Sequence, residues 1–194
     1  DPLWSRGLGD VYKRQLQTLA EMLEQPHAAR ITTAALAARL EVSEAALYRH
    51  FASKAQMFEG LIEFIETSIF TLVNQIAAAE PYGVPQAHKT VSMLLTFSER
   101  NKGMTRVLTG DALVTEDNRL QERINHINDR IETSLKQSLR IAITDGGLAP
   151  DANVAAHASL LTHLVLGRWL RYAQSGWRVA PTLHLDEQLR LTLG

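Results

Sequence analysis

The chain has 194 residues, a formal net charge of -1 and no cysteine. That length suits one compact domain or two small ones sharing a core, the missing cysteine excludes disulfides and thiolate metal sites, and the near-neutral charge excludes an extended polybasic tail while leaving room for a local basic patch. No run of 18 consecutive apolar residues and no basic-then-apolar leader is present, so the expectation is a cytoplasmic protein with no membrane span.

Residues 1–15, DPLWSRGLGDVYKRQ, carry two glycines and a proline and show no helical stripe. They read as a non-native or disordered flank. The alternative is a natural arm in which Arg6, Lys13 and Arg14 touch a DNA backbone. Periodicity begins at Leu16: Leu16, Leu19, Ala20 and Leu23 follow the i, i+3, i+4, i+7 pattern and predict a helix over Leu16–Glu24. Pro26 breaks it.

The stretch Ile31–Lys54, ITTAALAARLEVSEAALYRHFASK, predicts two short helices across a tight turn, roughly Thr33–Leu40 and Glu44–Phe51. Leu36, Ala37 and Leu40 share one face, as do Leu47 and Phe51, and Val42 is expected to fill the gap between the helices. Thr32 and Ser43 are the expected N-caps, and Glu44 suits the positive end of the second helix dipole. Two helices joined in this way form a helix-turn-helix, whose second helix enters the DNA major groove. The outward positions Ser43, Ala45, Ala46, Tyr48, Arg49 and His50 combine small residues, which permit close backbone approach, with three polar side chains at the helix end. Thr32, Thr33 and Lys54 flank them on the expected phosphate side.

Beyond the head, Ser53 with Gln56 makes a capping box for a long helix over about Ser53–Ala78. Its apolar positions cover far more than one stripe, so it needs neighbours on several sides and would tie the head to a helical body. Pro81, Gly83 and Pro85 end it. Further helices are predicted over Ala87–Glu99, Met104–Leu113, Asn118–Ile143, from a cap at Asp151 to Gln174, and over Asp186–Leu193. Leu120, Ile124, Ile127, Ile131 and Leu135 form a seam at spacings of 4, 3, 4 and 4. The helices carrying that seam and Ala158, Leu161 and Val165 are expected to build a four-helix bundle across a two-fold axis. No strand pattern appears.

The wording of the 31–54 stretch resembles the TetR family of DNA-binding proteins in Val42, Ser43, Leu47, Tyr48, His50, Phe51 and Lys54. The resemblance implies an all-α, TetR-like fold: a helix-turn-helix head over residues 16–54 on a larger helical dimerisation and partner-binding body over 55–194, assembled as a homodimer. Two positions depart from the pattern. Glu41 stands where Gly is usual and where the backbone is expected to need positive φ, and Ala52 stands where Pro is common.

Within that family the chain is similar to the nucleoid occlusion factors. The pieces that carry this are MFEGLIEFIE (Met57–Glu66), ERNKGMTRVLTGDAL (Glu99–Leu113) and DNRLQERIN (Asp117–Asn125). The resemblance implies binding to palindromic double-stranded DNA sites spread over the chromosome, association with the nucleoid, and inhibition of FtsZ ring assembly through the FtsZ C-terminal tail. It places Phe64, Met93, Arg100 and Asn101 in the groove for that acidic tail, with Arg100 facing a carboxylate and Phe64 an apolar shelf. Leu72 departs from the Arg that the resemblance would put there.

Nothing points to an enzyme, a cofactor or a metal. The seven histidines, at 27, 50, 88, 126, 157, 163 and 184, show no ligand spacing such as HExxH. Glu63 and Glu66 lie one turn apart with no nucleophile or phosphate loop beside them. The alternative function is a ligand-released TetR-type transcriptional repressor, with a cavity lined by Met93, Phe97 and Trp169.

Overall fold

The computed structural model describes residues 9–25, 31–114 and 116–194. Every regular element among them is helical: α1 (Asp10–Leu23), α2 (Thr33–Leu40), α3 (Glu44–Leu47), α4 (Lys54–Ala79), α5 (Gly83–Arg100), α6 (Lys102–Leu108), a 3-10 turn (Asp111–Leu113), α7 (Asn118–Thr144), α8 (Val154–Gln174) and α9 (Leu185–Leu193). Trp4, Arg6 and Pro26 lie outside the described residues.

Two compact units emerge, and their boundary differs from the expected division after Lys54. The first comprises the described residues through Ser68 together with Lys102–Ile124; the second comprises Ile69–Asn101 and Asn125–Gly194. The head therefore takes in the first part of α4, all of α6 and the start of α7.

In the first unit, Leu16, Leu19, Leu36, Leu47, Phe58, Leu61, Ile62, Val107 and Leu120 are buried and form the core. α1 begins at Asp10, six residues before the predicted start, so the second part of the supposed flank is helical. Tyr12 from that extension stacks on Phe51 with ring centroids 4.9 Å apart. Burial within the unit, and then Glu63, push the Tyr12 hydroxyl above its ordinary pKa. Half of the capping box at the head of α4 is formed, Gln56 N–H donating to Ser53 Oγ at 3.2 Å, while Gln56 Oε1 reaches one residue past the cap and accepts from Ala52 N–H at 2.8 Å.

By length and composition alone, α4 is long and apolar enough to cross a membrane, although it contains no uninterrupted run of 18 apolar residues. Many of its apolar side chains turn inward, while Phe64, Leu72 and Ile76 are half-buried. Met57, Phe58, Leu61, Ile62, Ile65 and Ile69 are all buried within the chain.

In the second unit, α5 starts at Gly83, four residues earlier than predicted. Pro85 falls in the first turn, where its missing N–H leaves no bond unmade. The Gly83 N–H donates to Asp145 Oδ2 at 2.6 Å. A Cβ on Gly83 would stand 2.0 Å from the Ala142 nitrogen, so only glycine lets these two backbones meet. Gln86 is buried and fully engaged: it donates to Glu80 O at 2.9 Å and accepts from Ser138 Oγ at 2.6 Å. Asn153, rather than Asp151, caps α8 by accepting from Ala156 N–H at 3.0 Å.

The predicted α7 seam exists, but it faces its own chain. Leu120, Ile124, Ile127, Ile131 and Leu135 are all buried, and Leu139 and Ala142 extend the row. These residues cannot also form a dimer surface. An exposed stripe of mostly apolar and small residues lies instead on α8, where Ala156, Leu160, His163, Gly167 and Leu170 recur at spacings of 4, 3, 4 and 3 along one face and all lie open to solvent.

Candidate nucleic-acid interface

α2 is an eight-residue helix capped by Thr32, whose Oγ1 accepts from Ala35 N–H at 3.1 Å. It ends at Glu41, which sits in the left-handed region with φ 56° and ψ 39°. The positive φ expected at this position is therefore present, carried by a residue with a Cβ. Glu41 N–H donates to Ala38 O at 3.2 Å and Val42 N–H to Ala37 O at 3.0 Å, closing the helix in the manner normally left to glycine. Val42 does not fill the gap between the helices; its side chain is exposed.

Ser43 then opens α3, its Oγ accepting from Ala46 N–H at 3.2 Å. Regular α-helix stops at Leu47, short of the predicted Phe51. The next bonds tighten, with Arg49 N–H to Ala46 O at 3.4 Å and His50 N–H to Leu47 O at 3.3 Å, each spanning three residues. Leu47 and Phe51 are buried and hold this turn on the core. Ser43, Ala45, Tyr48, Arg49 and His50 are exposed and Ala46 is half-buried, so the predicted outward face is outward.

Two flanking residues have partners that spacing could not reveal. The Thr33 hydroxyl donates to Glu44 Oε2 at 2.8 Å, a bond from the first residue of α2 to the first of α3. It sets the two helices against each other. Lys54 Nζ lies 2.5 Å from Glu116 Oε1, with the lysine side chain 18% and the glutamate 9% exposed. Lys54 is the first residue of α4, where the positive end of the helix dipole disfavours a cation, and the carboxylate offsets that. The ammonium also stands 5.7 Å from the Phe58 ring centre.

The residues expected to take an acidic tail are divided between the units. Phe64 is half-buried on the part of α4 in the first unit. Met93, Arg100 and Asn101 belong to the second. Met93 and Arg100, seven residues apart, share a face of α5; Met93 is half-buried and Arg100 exposed. Asn101 ends α5 by donating from Nδ2 to Phe97 O at 2.8 Å. Leu72 is half-buried on the later part of α4. Among the described residues no cluster of histidine, aspartate and glutamate could hold a metal ion.

Comparison with known proteins agrees with this geometry. Residues 16–61 match the family of bacterial regulatory proteins of the tetR type, and residues 85–193 match the SlmA-like form of the tetracyclin repressor-like C-terminal domain. The nucleoid occlusion factor SlmA of Marinomonas sp. (strain MWYL1) is 51% identical over 173 residues, covering 89% of this chain and 88% of that protein. The SlmA of Shewanella denitrificans is 49% identical over the same shares. Among solved structures, the fatty acid degradation regulator FadR from Bacillus halodurans has the same fold, with a TM-score of 0.78 at 14% identity over 97% of both chains. So has the MbdR regulator from Azoarcus sp. CIB, with a TM-score of 0.78 at 17% identity over 94% of this chain and 96% of that one. The family is one of DNA-binding regulators and not of enzymes. With a helix-turn-helix head, an all-helical body and about half its residues shared with these relatives, the chain belongs to the SlmA-like branch of the bacterial TetR family.

Proposed function

We propose that this chain is a nucleoid occlusion factor: a nucleoid-associated homodimer, without a membrane span, that binds palindromic double-stranded DNA on the chromosome and, in that state, engages the FtsZ C-terminal tail and inhibits ring assembly. The observation that carries the reading is the 51% identity to a protein of that name over 89% of the chain, on a head whose polar face is open.

Thr32 and Ser43 each use a hydroxyl lone pair to cap a helix, and each keeps its own hydrogen to donate to a phosphate oxygen. Ala45 and Ala46 let the backbone approach the groove. Tyr48, Arg49 and His50 contact phosphate or base edges at its rim, with the Arg49 fork suited to guanine. Thr33 acts indirectly through Glu44. One head covers too little groove for tight binding; two heads about 34 Å apart read a palindrome. The exposed α8 stripe, with Leu160 53% and Leu170 42% exposed, is the face on which a second copy packs. For the tail, Arg100 pairs with a carboxylate and Met93 supplies apolar surface on the same face of α5.

Sedimentation of FtsZ polymers with this protein, with and without a palindromic duplex, tests the reading. The duplex should increase co-sedimentation and reduce polymer. Equal results with and without duplex would sink it. The ligand-released repressor is less well supported, because Phe97 and Trp169 are buried and the Trp169 indole N–H is already bonded to Leu94 O at 3.3 Å.

A further inference from the structure

The second half of the Glu99–Leu113 block has no part in the DNA face or the tail contacts described above. Its geometry concerns the end of α1. That helix has no basic residue in its last turn, and Glu21 stands there instead. Its terminal carbonyls lack intrahelical partners, and an acidic side chain at a helix C-terminus worsens their electrostatics.

Arg106 on α6 corrects this from more than 80 residues away in sequence. Its Nη1 donates to Leu23 O at 3.2 Å and to Gln25 O at 3.3 Å. Its Nε and Nη2 grip Asp111 Oδ2 at 2.8 and 2.7 Å. The side chain is only 13% exposed. One turn earlier, a Cβ on Gly103 would stand 1.8 Å from Ala20 O, so α6 meets the last turn of α1 backbone to backbone. Only a guanidinium can span both carbonyls while holding the carboxylate; a lysine ammonium lacks the fork. α1 in turn packs against α2, and α2 against α3.

We infer that Arg106 is a positioning residue for DNA binding: it touches no nucleic acid and, by clasping the end of α1, holds the helix-turn-helix in the orientation that meets a duplex. The inference rests on the helix-turn-helix being the DNA-binding element. Without the clasp the head samples other orientations, and apparent affinity falls by the fraction that remains competent. Losing charge-assisted bonds to two carbonyls corresponds to about a ten-fold loss.

The test is fluorescence anisotropy of the full chain on a duplex selected from a random pool and on a random-sequence duplex, over a salt series. Arg106→Gln should bind the selected duplex about ten-fold more weakly, with the salt slope unchanged and the random duplex less affected, because non-specific binding is electrostatic and tolerant of orientation. Asp111→Asn retains Arg106, alters a half-exposed side chain and should shift affinity the same way by a smaller factor. It decides the matter if Arg106→Gln does not fold. Wild-type affinity in the folded variants overturns the inference. So does a salt slope reduced by about one for each protomer, which would mean a direct phosphate contact. If the unaltered chain binds neither duplex, the DNA-binding reading itself fails, an outcome distinct from failure of the variants alone.

Discussion

Lys54 at the head of α4 and Glu116 in the loop before α7 form an ion pair of 2.5 Å between residues 62 apart in sequence. The carboxylate occupies the ammonium that the TetR-like motif would direct at a phosphate, so a phosphate reaching Lys54 would have to compete with it. Glu116→Gln should therefore tighten binding to every duplex several-fold. Lys54→Ala should weaken binding to every duplex and lower the log–log salt slope by about one for each protomer. A salt series on both variants checks this. Unchanged slopes would show that the pair stays closed on DNA and serves only to seat α4.

Glu41 has a left-handed backbone, with φ 56°. A residue with a Cβ is strained there by about 1 kcal/mol. Glu41→Gly should raise unfolding stability by up to about that amount, reduced by the extra freedom glycine gives the unfolded chain. Urea denaturation followed by helical circular dichroism measures it. A destabilised variant would mean that the Glu41 side chain contributes more than its backbone costs.

The α8 stripe leads to a prediction about assembly. Leu160→Glu places a charge in the middle of an apolar face and should turn the dimer into a monomer with its helical content preserved. DNA affinity should fall steeply, since two joined heads gain from effective concentration. Analytical ultracentrifugation decides it; a persisting dimer would move the interface off α8.

Leu72 stands where the family resemblance expects a cation. Leu72→Arg should bind an acidic FtsZ tail peptide a few-fold more tightly, an exposed pair contributing about 0.2–1 kcal/mol. Isothermal titration with the peptide, repeated at high salt, reads the gain and its screening. No gain would place Leu72 away from the tail.

Asp117 accepts from the Arg119 guanidinium at 2.7 Å and from the Arg119 backbone N–H at 3.0 Å. These bonds, the side-chain ones first, lower its carboxyl from an ordinary 3.8 to about 2. A depressed folded-state pKa means stabilisation that is complete above the unfolded value, about 4, and is lost as pH falls through about 2. The first turn of α7 should thus be indifferent to pH from neutrality to about 4. A carbon-detected NMR titration should put the Asp117 midpoint at about 2; an ordinary carboxylate midpoint would mean that the pair is open in solution.

Much of the head is legible in the amino-acid sequence. Thr32, Ser43 and the Ser53–Gln56 box announce helix starts because a short side-chain oxygen can reach an orphan N–H only from the cap position. The outward face of α3 followed from helical periodicity alone, and the need for positive φ at Glu41 followed from a family pattern of glycine. Helix ends were harder to place. α1 reaches back to Asp10 because Tyr12 finds Phe51, and α5 starts at Gly83 because Asp145 accepts its N–H. Neither partner is near in sequence.

The amino-acid order by itself determined the helical class, the helix-turn-helix and its polar side, because caps and apolar periodicity are local properties of a chain. Which apolar face stays inside was decided only in three dimensions. The seams expected on α7 and α8 both turn inward, Ile124 and Ile127 on one and Ala158, Leu161 and Val165 on the other being buried within the chain, while Leu160 and Leu170, on another face of α8, are left outside. Tertiary structure also set the partners of Lys54, Thr33 and Arg106. Their ionic and hydrogen bonds depend on distances through space, which sequence separation does not encode.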